Sequence, residues 1–238
     1  MEFCEDYHLK SLPASDVTVC LYITHLTKKV CYSSITSYIC SVNMMHKYFG
    51  CDRPETATFL VRSTMLGAKR LLGSESKPAL PLLPENIIQM GKLLDLTNLV
   101  DLRFWCALLL SFRCVLRVGH VTESVHALRV RDIVWSGSGM DVIINSSKTV
   151  QYRERQEVVP VVRAASALCP ILPLKVFLAT SCRSSSSTLF GHSYNQYSTK
   201  LKSLCKRISL VGQYSSHSVR RGAASFLATF MPLHDVKR

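Results

Sequence analysis

Four basic residues stand where the apolar pattern of the chain breaks, and their types together suit work on a phosphodiester. Arg117 follows a long apolar stretch in "CVLRVGH" and precedes Gly119, so the chain turns there. Lys148 lies in "NSSKTVQ", where a hairpin tip would project its side chain. His217 and Arg220 stand three apart in "YSSHSVRRGAASFLA", at what reads as a helix start, and this spacing puts them on one face. Two guanidiniums can grip the non-bridging oxygens of one phosphate with paired hydrogen bonds, which suits a phosphorane-like transition state. A histidine moves a proton near neutral pH, and a lysine on a hairpin can donate one to a leaving 5′-oxygen. Helix N-terminal amides add positive potential. Singly, each residue has a plainer reading as a capping, surface or solvated group. Only the joint pattern points to a site.

The elements that would position these residues fall into two groups. In the first third, Ser15 is a plausible N-cap for "DVTVCLYITHLTKKV". The stretch "SSITSYICSVNMMHKYFG" spaces Ile35, Tyr38, Ile39, Val42, Met45 and Phe49 as one helical stripe ended by Gly50. A third helix starts after Pro54, stops at Gly73, and carries Arg62, Lys69 and Arg70 on its polar side. The Gly-, Ser- and Pro-rich "GSESKPALPLLP" reads as a linker. Beyond it, "PENIIQMGKLL" and "NLVDLRFWCALLLSFRCVL" read as helices, the second apolar nearly all round and so buried. A turn and short helix in "LRVGHVTESVHAL" precede three strands in "VRDIVW", "MDVIINSS" and "RQEVVPV". Helices resume around 169–180 and 198–210, and the last begins near Ser216. The expected fold is mainly α (α+β), with a helical domain over residues 1–74, a linker over 75–84, and a helical domain with a small antiparallel sheet over 85–238.

Charge favours a polyanionic partner. Lys and Arg total 29 against 16 Asp and Glu, a net +13, and nucleic acid is the usual partner of such a chain. Basic residues placed to contact DNA are Arg62, Lys69, Arg70, Arg153, Arg155, Lys202 and Arg221. The ten cysteines are scattered among apolar residues without a C-x-x-C, so reduced, mostly buried thiols are expected, with no zinc site and no cofactor. The N-terminus is no signal peptide, and the apolar run 104–112 is too short to span a bilayer. A nuclear protein, or a cytosolic one before import, is expected, without a membrane partner and not secreted.

Three stretches, "CVLRVGHVTESVHALRVRDI", "NSSKTVQYRERQEVVPV" and "YSSHSVRRGAASFLATFMPLH", resemble the tyrosine recombinases of the phage-integrase superfamily. The likeness is nearest to the recombinases of eukaryotic DIRS-like and Crypton-like mobile elements. "SLPAS" and "ITSYICSVNMMHKYFG" look like the family's core-binding domain, so the resemblance runs from about residue 10 to the end. It implies a SAM-like helical core-binding domain and a DNA breaking-rejoining catalytic domain, closing as a clamp on double-stranded DNA. It matches Arg117 to the first catalytic arginine, Lys148 to the hairpin lysine that serves as general acid, and His217 and Arg220 to the H-x-x-R pair. Arg221, beside that pair, is given no catalytic role. His120 stands where many members have an acidic residue that supports the site.

In the family the nucleophilic tyrosine follows H-x-x-R, whereas all nine tyrosines here precede His217. Tyr214 is close but on the wrong side of the motif, and His234 comes too early for the family's next histidine position. Two expectations follow from the resemblance. One is a site-specific recombinase truncated before its nucleophile and inactive alone. The other is a non-catalytic DNA-binding module derived from a mobile-element recombinase. Further copies of the chain, or a full-length recombinase, are the protein partners that fit.

Overall fold

Serine and threonine caps set several of the helix starts that the sequence announces. The computed structural model describes residues 2–51, 58–73, 79–145 and 156–230, which divide into two units, 1–77 and 78–238.

The first unit holds α1 (Glu2–Asp6), α2 (Asp16–Thr27), α3 (Tyr32–Tyr48) and α4 (Phe59–Leu72). Ser15 accepts from Thr18 N at 3.1 Å and so starts α2, while Thr58 starts α4 by accepting from Val61 N. Val19, Ile23, Leu26, Ile35, Ile39, Val61 and Ala68 form the core. The stripe expected on α3 is only partly inside. Ile35 and Ile39 are buried, but Tyr38, Met45 and Phe49 are exposed, and the fully buried residue of the last turn is His46. Its ring is satisfied at both nitrogens: Nε2 accepts from Ala14 N at 2.8 Å, and Nδ1 lies 2.8 Å from Val42 O. A histidine with both nitrogens bonded can be buried at little penalty.

The second unit is built around α6 (Leu99–Arg113), which buries ten residues in succession from Leu102 apart from Arg103. Leu108, Leu109 and Leu110 are inaccessible to solvent, each contributing about 1.5–3 kcal/mol by burial. Around it lie α5 (Pro84–Gly91), α7 (Val118–Val121), α8 (Ile171–Ser181), α9 (Tyr194–Arg207) and α10 (Ser216–Leu227). The sheet is antiparallel, in the order β1 (Ile133–Trp135), β2 (Gly139–Ile144), β3 (Glu157–Val162). Pro160 is tolerated because β3 is an edge strand. The chain is thus mainly helical with a small three-stranded sheet.

Three further details differ from the sequence reading. "VRD" is a 3₁₀ turn, Val130–Asp132, because the Asp132 carboxylate accepts from Arg129 N at 2.7 Å and holds the turn closed. α9 begins at Tyr194, earlier than expected, through a box in which Ser193 Oγ accepts from Gln196 N and Gln196 Oε1 accepts from Ser193 N. Three cysteines are buried, Cys106, Cys114 and Cys205, the rest being half-buried or exposed. Of the segment expected to link the domains, residues 79–83 are part of the second unit. Leu80 N donates to Gln213 O and Leu82 N to Ser218 O, and Leu82 is fully buried. No helix among the described residues is long and apolar enough to cross a membrane.

Candidate phosphodiester site

α6 ends at Arg113, and the chain reverses through Val115, whose φ of 51° is left-handed and strained for a β-branched residue. Leu116 N closes the turn on Ser111 O, Leu116 is buried, and Arg117 follows half-buried at the N-cap of α7. α10 supplies the other side. Ser215 Oγ accepts from His217 N at 3.3 Å, and Ser218 Oγ accepts from Ser215 N at 3.0 Å. Ser216 Oγ stands 3.5 Å from the Tyr194 hydroxyl. Val219, Gly222 and Ala223 bury the inner face of the helix, while His217 is exposed and Arg220 half-buried. An added Cβ on Gly222 would lie 1.7 Å from Leu82 O, so only glycine lets α10 reach the 79–83 segment.

Arg220 crosses to the α6–α7 turn, where its Nη1 donates to Val115 O. Burial, and then the nearby Arg117 guanidinium, lower its pKa, against the opposing pull of Glu157. Arg117 and Arg220, distant in sequence, therefore lie close enough for their charges to interact. Glu157 was not anticipated as a member of this group. Its signal was available in the alternation of "EVVPVV", where Glu157, Val159 and Val161 share the inward face of β3. His217 shares the α10 face with Arg220 by its i, i+3 spacing. The arrangement can hold a phosphate between two guanidiniums at the amino end of a helix, with an exposed imidazole one turn away.

The remaining predicted residues are placed as follows. Lys148, Arg153 and Arg155 lie outside the described residues. Ile144 pairs with Glu157 at the end of the β2–β3 ladder, and these three lie between them in sequence. Arg62, Lys69 and Arg70 are exposed on α4, with Lys69 Nζ 6.0 Å above the Tyr32 ring. Lys202 is exposed on α9, and Arg221 is exposed with Nη1 donating to Ala79 O at 2.7 Å. His120 is buried in α7 with its carbonyl accepting from Leu128 N at 2.8 Å. Among the described residues no cluster of His, Cys, Asp and Glu is arranged to hold a metal ion.

No protein-family model matches the chain. Over 183 residues it is 23% identical to an integrase/recombinase XerD homolog of Selenomonas ruminantium, a match covering 76% of this chain and 52% of that protein. The chain thus spans about half the length of the curated relative it matches. Its backbone is similar to that of the Tn1549 transposon integrase in complex with circular intermediate DNA, with a TM-score of 0.58 at 12% identity over 96% of this chain and 77% of that one. It is also similar to a lambda integrase dimer bound to a COC′ core site, with a TM-score of 0.56 at 12% identity over 94% and 77% of the two chains. The fold is that of the tyrosine recombinases. A third structure with this recombinase fold, the XerH site-specific recombinase bound to palindromic difH substrate, is matched with a TM-score of 0.59 at 10% identity over 91% of this chain and 62% of that one.

Proposed function

We propose that the chain is a recombinase- or integrase-type protein that binds double-stranded DNA and engages one phosphodiester through Arg117 and Arg220. His217 lies beside them for proton transfer, and Lys148 is assigned as the general acid. The observation that carries this reading is that half-buried Arg220, bonded to Val115 O two residues before half-buried Arg117, lies within reach of its charge. Bringing two like charges together costs stability, and a phosphate placed between them offsets that cost with charge-assisted hydrogen bonds. The net charge of +13 supports it, as do the DNA complexes among the structural relatives. Arg62, Lys69, Arg70, Arg153, Arg155, Lys202 and Arg221 extend the contact along the duplex backbone. The resemblance to recombinases of DIRS-like and Crypton-like elements supports a place of work in the nucleus.

Strand cleavage through a phosphotyrosine needs a nucleophile, and all nine tyrosines precede His217. On this observation rests a second reading, that these residues bind DNA without cutting it. A further copy of the chain brings the same tyrosines, so a nucleophile after the H-x-x-R motif would come from additional sequence or from a full-length recombinase. The test common to both readings is duplex binding across a salt series. Phosphate neutralisation releases counterions, so affinity is expected to fall steeply between low and moderate salt. Affinity that stayed constant across the series would sink both.

A further inference from the structure

Behind the β2–β3 pair lies a recess of about 520 Å³ whose walls include His126, Arg129, Arg131, Asp132, Asn145 and Gln156. Its acceptors are largely committed. Asp132, 94% buried, takes the Arg129 N–H on Oδ2 at 2.7 Å and the Asn145 amide on Oδ1 at 2.9 Å. Asn145 Oδ1 takes the Gln156 amide at 3.0 Å. Several of its donors, on Asn145, Gln156, Arg129 and Arg131, have no partner among the described residues. Among the described residues, each of these two amides keeps a second N–H, Arg129 spends Nη1 on Ser186 O at 2.5 Å and keeps its other groups, and the Arg131 side chain makes no hydrogen bond or ion pair. Arg103, Arg129, Arg183, Arg220 and Arg221, by contrast, each grip a backbone carbonyl. A polar wall left with surplus N–H groups and an unengaged guanidinium is matched to a ligand that accepts hydrogen bonds.

The recess is separate from the Arg117–Arg220 site. Strand residues alternate in direction, so Asn145 and Gln156 point to the face opposite Ile144 and Glu157, and Glu157 is the residue that acts on Arg220.

We propose that this recess is a second phosphate-binding site, taking one phosphate group between the Arg131 guanidinium and the free amide N–H groups of Asn145 and Gln156. The phosphate is either a backbone phosphate of bound DNA or a free phosphate. Only the first source rests on the DNA-binding reading above. Titration of the protein with inorganic phosphate, followed by the side-chain amide resonances of Asn145 and Gln156, tests the site itself. Saturable shifts are expected in the wild type and in Arg220→Ala. They should weaken about tenfold in both Arg131→Gln and Arg131→Glu, as loss of a charge-assisted contact predicts. Amides that do not respond to phosphate, or that respond equally in all four proteins, overturn the proposal. Duplex binding distinguishes the sources. If the phosphate is DNA's, Arg131→Gln lowers the salt slope by about one. If the amides respond to phosphate while Arg131→Gln leaves DNA affinity and slope unchanged, the site takes free phosphate. Wild-type protein that binds no DNA but still shows the amide shifts defeats the functional reading and leaves this site standing.

Discussion

Arg117 and Arg220 repel one another in a site that water only partly screens, and Glu157 opposes that repulsion from the start of β3. Removing either arginine relieves the repulsion and, in the proposed site, also deletes half of the phosphate grip. Arg117→Ala and Arg220→Ala are therefore expected to weaken duplex binding about tenfold each, and more than Arg153→Ala, when measured by anisotropy at one salt concentration. Equal losses in all three would mean that no pocket is assembled. A second residue-scale prediction concerns His192, which is buried between the rings of Phe190 and Tyr197 at centroid distances of 6.0 and 5.4 Å. Burial, then Arg103 and Arg183, push its pKa down to about 4, while a hydrogen bond to the Val121 backbone pulls the other way. The unfolded chain takes up a proton near the ordinary histidine value, and the folded chain resists it. Stability contributed by neutral His192 is thus complete above about pH 6.5 and is lost as pH falls toward about 4. Between pH 7 and pH 5 the loss is about 2 kcal/mol. Denaturant unfolding at the two pH values checks it, and His192→Phe, which keeps the stack, should show a smaller drop.

At the scale of elements, α10 meets the 79–83 segment backbone to backbone at Gly222. Gly222→Ala gains about 1 kcal/mol of helix propensity, but its Cβ would meet Leu82 O at 1.7 Å. The main chain must move, and we expect a net destabilisation of about 1–3 kcal/mol. Both tryptophans, Trp105 and Trp135, lie in the second unit, so their fluorescence during denaturation reports on it. Local signals made many elements legible: the Ser15 cap, the all-round apolar α6, and the three strands. Contacts across the fold decided what was missed. His46 is inside α3 because Ala14 presents an N–H to it, which no periodicity encodes. "VRD" turns instead of extending because Asp132 closes on Arg129. In the site, H-x-x-R was legible as spacing, but its meeting with Arg117 and Glu157 depends on three elements far apart in sequence. The S-x-x-Q box at Ser193 was open to reading in the polar "HSYNQY" and would have set the start of α9.

For the whole molecule, the duplex binding proposed above draws on the excess of 13 positive charges, while the chemistry depends on a nucleophile. Incubating these 238 residues with a nicked duplex that traps covalent intermediates is expected to give no protein–DNA adduct on a denaturing gel. An adduct would direct attention first to Tyr194, whose hydroxyl stands beside Ser216 at the start of α10. Tyr197, by contrast, is buried and its phenol pKa is raised by that burial, which keeps it protonated and inert.

The bond from Arg220 to the carbonyl of Val115 bears on the economy of recognition. A guanidinium is planar with donors along more than one edge, and the fold occupies one of them. In the proposed phosphate site its other donors are thus constrained beforehand, so much of the roughly 2 kcal/mol of rotamer freedom carried by an arginine is already surrendered in folding. Lysine at this position has a single ammonium to divide between carbonyl and phosphate. Arg220→Lys would keep the charge and lose the aim, turning a fixed receptor into one that must be organised anew at each encounter.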